Sequence, residues 1–177
     1  MNKEEGKELL ELARISITSN FNKKSIATDK FKEQKGVFVT IYTNNELRGC
    51  IGFIYPNTSL GLQVIQAARL AAFHDPRFPP LKKDEVFRIE ISVLTKPELI
   101  KEKEAEKILA NVKIGRDGLI ISYGNHSGLL LPQVAVEHKM GKEKFLAAVC
   151  EKADLPANFW KSGKSDLYKF QAEIFSE

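Results

Sequence analysis

The sequence predicts an α+β fold in which two similar units, each with a β-hairpin, a helix and a further strand, form one curved, mainly antiparallel sheet with helices packed against it. Three observations predict this class. Pairs of segments with a two-residue apolar period are separated by short turns, as in hairpins. Segments with helical periodicity lie between these pairs. The order of elements in the first half then recurs in the second half.

The first element is an amphipathic helix, predicted over 4–19, because apolar residues recur there at helical spacing. Asn2 and Glu5 have the three-residue spacing of a capping box, which marks the start of a helix. The segment 22–35 is polar and rich in lysine, so we expect it to be a surface connection.

A hairpin follows, with strands predicted over 36–42 and 47–54. The turn between them contains Asn44 and Asn45, which tolerate the positive φ angles of tight hairpin turns. Both faces of the first strand are fairly apolar, as in a strand that is covered on both sides.

A helix is predicted to begin after Pro56–Ser59 and to end near Phe73, and its alanines allow another backbone to approach closely. Segment 74–80 contains three prolines and is predicted to be a stiff, non-helical connection, since proline fixes φ and lacks an N–H donor. The alternating segment 87–93 is predicted to be a strand with one apolar face.

The second half repeats this order, and Gly118–Tyr123 has the same pattern as Gly36–Tyr42. We therefore expect a single domain, 1–177, with an internal repeat of two halves at about 1–95 and 100–177. The elements predicted for the second half are a charged helix over 102–110, strands over 118–123 and 129–131 around a turn at 124–128, helices over 132–140 and 142–153, and a last strand over 168–174.

Composition excludes several classes of protein. Charged residues, Gly or Pro interrupt every apolar run before the ~18 residues that indicate a membrane span. Two cysteines in 177 residues cannot form a disulfide scaffold, so we expect a reducing, cytoplasmic setting. The formal net charge is +4, but basic residues are interleaved with acidic ones, which does not favour nucleic-acid binding.

The predicted strand Leu47–Phe53 contains the first candidate site. Arg48, Cys50 and Gly52 share one face of this strand, and Gly49 lies on the other. A guanidinium beside a thiol lowers the pKa of the thiol and favours the reactive thiolate. The alternative is a core cysteine beside a structural arginine, because two glycines in one strand indicate a bulge or a close backbone approach.

His74, Asp75 and Arg77 form the second candidate site, on the proline-rich connection. A general base needs a histidine or carboxylate held by a rigid frame, and the prolines supply such a frame. In the alternative interpretation, Asp75 forms a local ion pair with Arg77, and His74 only ends the preceding helix.

Gln133 lies at the start of a predicted helix and shares a face with Glu137. His138 follows that glutamate, but the three histidines and two cysteines of the chain have no zinc-type spacing. No metal site is therefore predicted. The sequence contains neither a P-loop nor a dinucleotide-binding glycine motif, and the cofactor remains unknown.

Several motifs resemble those of the AMMECR family. Leu47–Gly52 reads LRGCIG and is similar to the family signature. Ala71–Leu81 resembles the second motif, Ile89–Leu94 the central strand, and Gly128–Ala135 the late motif. The resemblance implies an α+β domain of two similar β–α units around one curved sheet, with the signature, second and late motifs meeting on a common surface. It also implies a shared pathway with a Memo-like protein and a radical-SAM protein, which are encoded near prokaryotic members.

We therefore expect a cytoplasmic ligand-binding or accessory domain that acts with those two partners. Arg48 and Arg77 would hold a small anionic group by forked hydrogen bonds, and Gln133 would orient it. The alternative is an enzyme in which Cys50 is an activated nucleophile or redox thiol, with Arg48 as activator and His74 as proton shuttle. Nucleic-acid binding is a third and less favoured hypothesis. The residues that would line the cleft are Arg48, Gly49, Cys50, Gly52, His74, Asp75, Arg77 and Gln133.

Overall fold

The computed structural model describes residues 1–22 and 24–177. Lys23, part of the predicted surface connection, lies outside the described residues. The chain forms two compact units. The first comprises Met1–Leu94 with Glu173–Glu177, and the second comprises Thr95–Ala172.

The first unit contains two helices and a sheet. Its elements are α1 (Lys3–Phe21), β1 (Val37–Thr43), β2 (Glu46–Phe53), α2 (Leu60–Phe73), β3 (Arg88–Leu94) and the last residues of β7 (Asp166–Ser176). The predicted capping box is present at the start of α1: the Glu5 N–H donates to Asn2 Oδ1 at 2.9 Å, and the Asn2 N–H donates to Glu5 Oε2 at 2.8 Å. These two bonds satisfy N–H groups that have no partner within the helix.

The sheet of the first unit is antiparallel, with β1 between β2 and β3 and with β2 at the edge. Asn44 and Asn45 have φ angles of 52° and 63°, as predicted for the hairpin turn. One face of β1 is fully buried and packs against the core that α1 and α2 share. Thr40 points to the opposite face, opposite Cys50 of β2 and Glu90 of β3.

The second unit has the same kinds of element. They are β4 (Glu98–Ile100), α3 (Ala105–Asn111), β5 (Asp117–Tyr123), β6 (His126–Leu130), α4 (Pro132–Glu137), α5 (Lys142–Lys152), a 3₁₀ helix (Phe159–Ser162) and most of β7. β7 pairs with β4 and β5, and β5 also pairs with β6, all antiparallel. Phe145 of α5 and Trp160 are buried in a core of their own with Leu119 and Ile121.

The predicted α+β class, with antiparallel strands and helices packed against them, is confirmed. Within the described residues, no helix combines the length and apolar character needed to cross a membrane.

The second unit differs from the prediction at two strands, β6 and β4. The second hairpin turns at Gly124 and Asn125 alone, and β6 already begins at His126, inside the predicted turn 124–128. Gly128 lies in that strand, paired with Ile121, and its missing side chain leaves room for the end of α5: a Cβ there would lie 2.7 Å from the Ala153 nitrogen. The short strand β4 was not predicted, since three residues are too few to show a period.

Candidate functional site

Arg48 joins β2 to the proline-rich connection. Its Nε donates to Glu85 Oε1 at 2.7 Å, and its Nη2 donates to Glu85 Oε2 at 3.2 Å. Nη1 donates to the Pro79 carbonyl at 2.7 Å, and Nη2 also donates to the Pro80 carbonyl at 3.3 Å. The guanidinium that the enzyme hypothesis assigns to the activation of Cys50 is thus engaged with a carboxylate and two carbonyls.

The Glu85 carboxylate accepts two further hydrogen bonds besides those from Arg48. Thr43 Oγ1 donates to Glu85 Oε1 at 3.2 Å, and the Lys82 N–H donates to Oε2 at 3.3 Å. Burial raises the pKa of Glu85, but the hydrogen bond from Arg48 and those from Lys82 and Thr43 outweigh it, so the pKa is lowered. The carboxyl is thus ionised at neutral pH, as the pair with Arg48 requires.

Asp75 and Arg77 form the local ion pair that the alternative interpretation expected. Arg77 Nη2 donates to Asp75 Oδ2 at 2.7 Å, and Arg77 Nε donates to Oδ1 at 2.9 Å. The Asp75 side chain is only 2% exposed, whereas that of Arg77 is 49% exposed. The hydrogen bond from Arg77 lowers the pKa of Asp75 most, burial opposes it, and further bonds from backbone N–H groups bring it to about 2.

This ion pair covers the edge of β2. The Cys50 N–H donates to Asp75 Oδ2 at 2.9 Å, and Arg77 Nη2 donates to the Cys50 carbonyl at 3.2 Å. An edge strand otherwise presents unpaired N–H and C=O groups, which attract another strand. The two charged side chains therefore act at Cys50 as a neighbouring strand would.

The Cys50 thiol lies on the face of the sheet opposite the helices. Thr40 Oγ1 donates to Cys50 Sγ at 3.3 Å, and on its other side Thr40 pairs with Glu90 of β3. Burial raises the pKa of the thiol, and the Asp75 and Glu90 charges add to the rise. The Thr40 hydrogen bond and the Arg77 charge oppose it but do not reverse it. The thiol is therefore protonated at neutral pH, and the guanidinium that acts on it is that of Arg77.

Thr40 and Glu90 lie in line with Cys50 across the sheet, and neither was among the predicted site residues. The available signal was the pattern of β3, where Glu90 stands between the buried Ile89 and Ile91. Pairing of β1 with both neighbours in register then places Thr40 between Cys50 and Glu90. Such register cannot be read from one strand alone.

The remaining predicted residues have other surroundings. His74 is exposed at the end of α2, where its backbone N–H donates to the Leu70 carbonyl at 2.8 Å; its ring forms no hydrogen bond with the part of the chain described. Gly49 and Gly52 have packing roles, since a Cβ would lie 2.1 Å from the Ala71 oxygen at the first and 2.3 Å from the Val37 oxygen at the second. The place of Gln133 is the first turn of α4, in the second unit.

Metal ligands do not cluster in the described ranges 1–22 and 24–177: no group of three His, Cys, Asp or Glu side chains is arranged to hold an ion.

Comparison with known proteins places the chain among archaeal relatives. The AMMECR1 family model matches residues 10–175. Protein MJ0810 of Methanocaldococcus jannaschii is 44% identical, over 98% of this chain and 90% of its own length. Protein Ta0236 of Thermoplasma acidophilum is 45% identical, over 97% and 87% of the two chains. The crystal structure of the uncharacterized protein PH0010 from Pyrococcus horikoshii has a TM-score of 0.94 and 44% identity, covering all of this chain and 93% of that one.

Proposed function

The chain belongs to the AMMECR1 family, and we propose that it is a cytoplasmic accessory domain that binds a small anionic ligand or a partner group beside Cys50. One observation carries this proposal. The Asp75–Arg77 pair fixes the edge of β2 at Cys50, so the thiol and its neighbours are held in place before any ligand arrives. Groups held in this way bind without the entropic cost of ordering them.

Arg77 is the residue that would meet the anion. Its Nε and Nη2 are engaged with Asp75 and Cys50, but Nη1 donates no hydrogen bond within the described chain, and the side chain is 49% exposed. A planar guanidinium held on one side presents its remaining donors in a fixed direction, which suits a carboxylate or phosphate. Arg48 already donates four hydrogen bonds from its five N–H groups to Glu85, Pro79 and Pro80, so we give it no part in this binding.

The polar row Cys50–Thr40–Glu90 supplies the other contacts. The three residues lie side by side on adjacent strands, with spacings fixed by the sheet. A protonated thiol is a weak donor, and the Glu90 carboxylate accepts hydrogen bonds, so it would meet a donor group of the ligand and not its anionic group. This mixture favours recognition of a polar group. An activated nucleophile gains no support here, because burial keeps the pKa of the thiol above its ordinary value.

A Memo-like protein and a radical-SAM protein are the partners that we propose, from the resemblance of the sequence motifs. The test is a pull-down in which the purified chain is used to capture each of them. We expect the wild-type chain to retain at least one, and Arg77→Ala to weaken retention at least tenfold, since a charged hydrogen-bond donor is lost.

Arg69→Ala is the matched control. Arg69 is a half-buried arginine of α2 whose guanidinium bonds to Ser16, Ser19 and Lys24, away from β2. Both variants are checked by thermal melting before use. Retention of neither partner by the wild-type chain, or equal loss in the two variants, would contradict the proposal.

A further inference from the structure

A charged cavity of about 230 Å³ lies within the second unit, beside β4, β5 and β7. Charged side chains dominate its lining: Lys96, Glu98, Arg116, Asp117 and Lys169. Liquid water takes about 30 Å³ per molecule, so the space accepts a small organic ion. None of these residues belongs to the polar row around Cys50.

Strand register explains why charges gather here. On the core side of the sheet, successive rows across β4, β7 and β5 change from apolar to charged. The first row is Ile100, Leu167 and Ile121; the second is Glu98, Lys169 and Leu119; the third is Gln171 and Asp117. The cavity therefore lies where the apolar core of the unit ends, and three of its charged residues, Glu98, Asp117 and Lys169, lie on paired strands.

One edge of the Arg116 guanidinium is hydrogen-bonded to Asp117, and the other edge is open. Its Nε donates to Asp117 Oδ1 at 2.6 Å, and its Nη2 donates to Asp117 Oδ2 at 2.7 Å. The Lys113 N–H donates to the same Oδ2 at 2.9 Å, and the Asp117 side chain is 1% exposed. Within the described chain Nη1 donates no hydrogen bond, so the edge formed by Nη1 and the second Nη2 proton can receive an oxyanion.

Lys169 is the most unusual cation of the cavity. Its side chain is only 20% exposed, and its Nζ lies 4.0 Å from Glu98 Oε1, at the outer limit of an ion pair. No described residue accepts a hydrogen bond from it. An ammonium that has no acceptor in the described part of the chain can donate its hydrogen bonds to an anion in the cavity.

The sum of charges limits the kind of ion. Lys96, Arg116 and Lys169 are positive, and Glu98 and Asp117 are negative, so the cavity has one positive charge in excess. A singly charged ligand balances it. A phosphate dianion would be repelled by the two carboxylates, which line the same cavity.

We propose that this cavity binds a small monocarboxylate, held by the open edge of Arg116 and by the ammonium of Lys169. A carboxylate matches the guanidinium fork with two parallel hydrogen bonds, and Lys169 supplies a point charge on the other side. Lys96 adds a third cation from the segment before β4.

The experiment is an NMR titration of the isotope-labelled full chain with sodium acetate, with sodium chloride keeping the ionic strength constant. We expect saturable shifts of amides within 95–98, 116–117 and 169–171. Lys169→Met should weaken the acetate Kd at least tenfold, and Lys169→Arg should stay within about threefold of wild type, since removal of a charged donor is costly and its replacement by another is not.

Lys144→Met on the exposed face of α5 is the control, and we expect its Kd within twofold of wild type. If Lys169→Met does not fold, Lys96→Met replaces it, with at least a threefold loss expected. The proposal is overturned if acetate gives no saturable shifts, if the lysine variants bind as wild type does, or if phosphate moves the same amides at lower concentration than acetate.

Discussion

At the scale of one residue, the Asp75 carboxylate provides a hydrogen-bond acceptor for a backbone N–H group of β2. Its carboxylate accepts hydrogen bonds from Arg77 and from the Cys50 N–H while it is almost fully removed from solvent. A buried carboxylate is stable only when it is paired and hydrogen-bonded. The first role of Asp75 is therefore structural. Any binding beside Cys50 depends on the backbone position that Asp75 fixes there.

Acid should remove the contribution of Asp75. Its pKa in the folded protein is about 2, below the ordinary value of 3.8, so the ionised form favours folding at neutral pH. This stability is complete above the unfolded pKa and is lost as pH falls towards 2. We expect the gap in unfolding free energy between wild type and Asp75→Asn to shrink by roughly 2 kcal/mol between pH 5 and pH 2.

Urea denaturation at several pH values measures that gap. Asp154→Asn changes an exposed carboxyl outside this network and is the control, which should follow wild type throughout. A gap that stays constant with pH would show that Asp75 is not stabilised as a carboxylate.

Cys50 gives the second prediction at this scale. Because burial raises the pKa of its thiol, alkylation should be slow at pH 7 and should still be rising above pH 9. Thr40→Val removes the hydrogen bond that lowers this pKa and should slow the reaction further. Peptide-resolved mass spectrometry separates Cys50 from Cys150, and a rate that reaches its plateau below pH 8 would favour the enzyme hypothesis.

At the scale of elements, a strand glycine in each unit allows a helix to lie against a hairpin. A Cβ at Gly49 would lie 2.1 Å from the Ala71 oxygen of α2. At Gly128 it would lie 2.8 Å from the Val149 oxygen of α5. Both atoms are backbone atoms of a helix, so the neighbour cannot move aside without moving the helix.

Gly49→Ala should therefore destabilise the protein by about 3 kcal/mol, at the upper end of what overpacking costs. Gly141→Ala is the matched control, because its added methyl group meets nothing within 4 Å. It should cost less than about 1 kcal/mol, measured by the same urea denaturation. Equal costs for the two variants would mean that α2 does not pack as closely as described.

Local signals in the sequence predicted local structure well. The capping box at Asn2 and the asparagine turn at 44–45 depend on neighbouring residues only, and both are present. The partner of Arg48 could not be predicted, because Glu85 lies 37 positions away in an irregular segment. Glu90 could not be predicted either, because its place beside the thiol follows from the pairing of β1 with both β2 and β3.

At the scale of the whole molecule, β7 is divided between the two units. Most of it pairs within the second unit, whereas Glu173–Glu177 belongs to the first. Glu177 completes that unit: its carboxylate accepts hydrogen bonds from Arg14 and from the Ile89 N–H, and its own N–H donates to the Ile89 carbonyl. The first unit is thus formed from two separate stretches of chain.

Deletion of residues 173–177 should weaken the first unit more than the second. Trp160 is the one tryptophan of the sequence and lies in the core of the second unit, so its fluorescence reports on that unit. In the shortened chain we expect unfolding followed by circular dichroism to begin at lower urea than unfolding followed by Trp160. Coincident transitions would contradict this expectation.

The divided strand also sets an order of events during synthesis. The residues that finish the first unit leave the ribosome only after all of the second unit has been made. A nascent chain that ends near Leu94 therefore lacks the last segment of the first unit. Contacts between such distant segments slow folding, so the unit that is translated first is completed last.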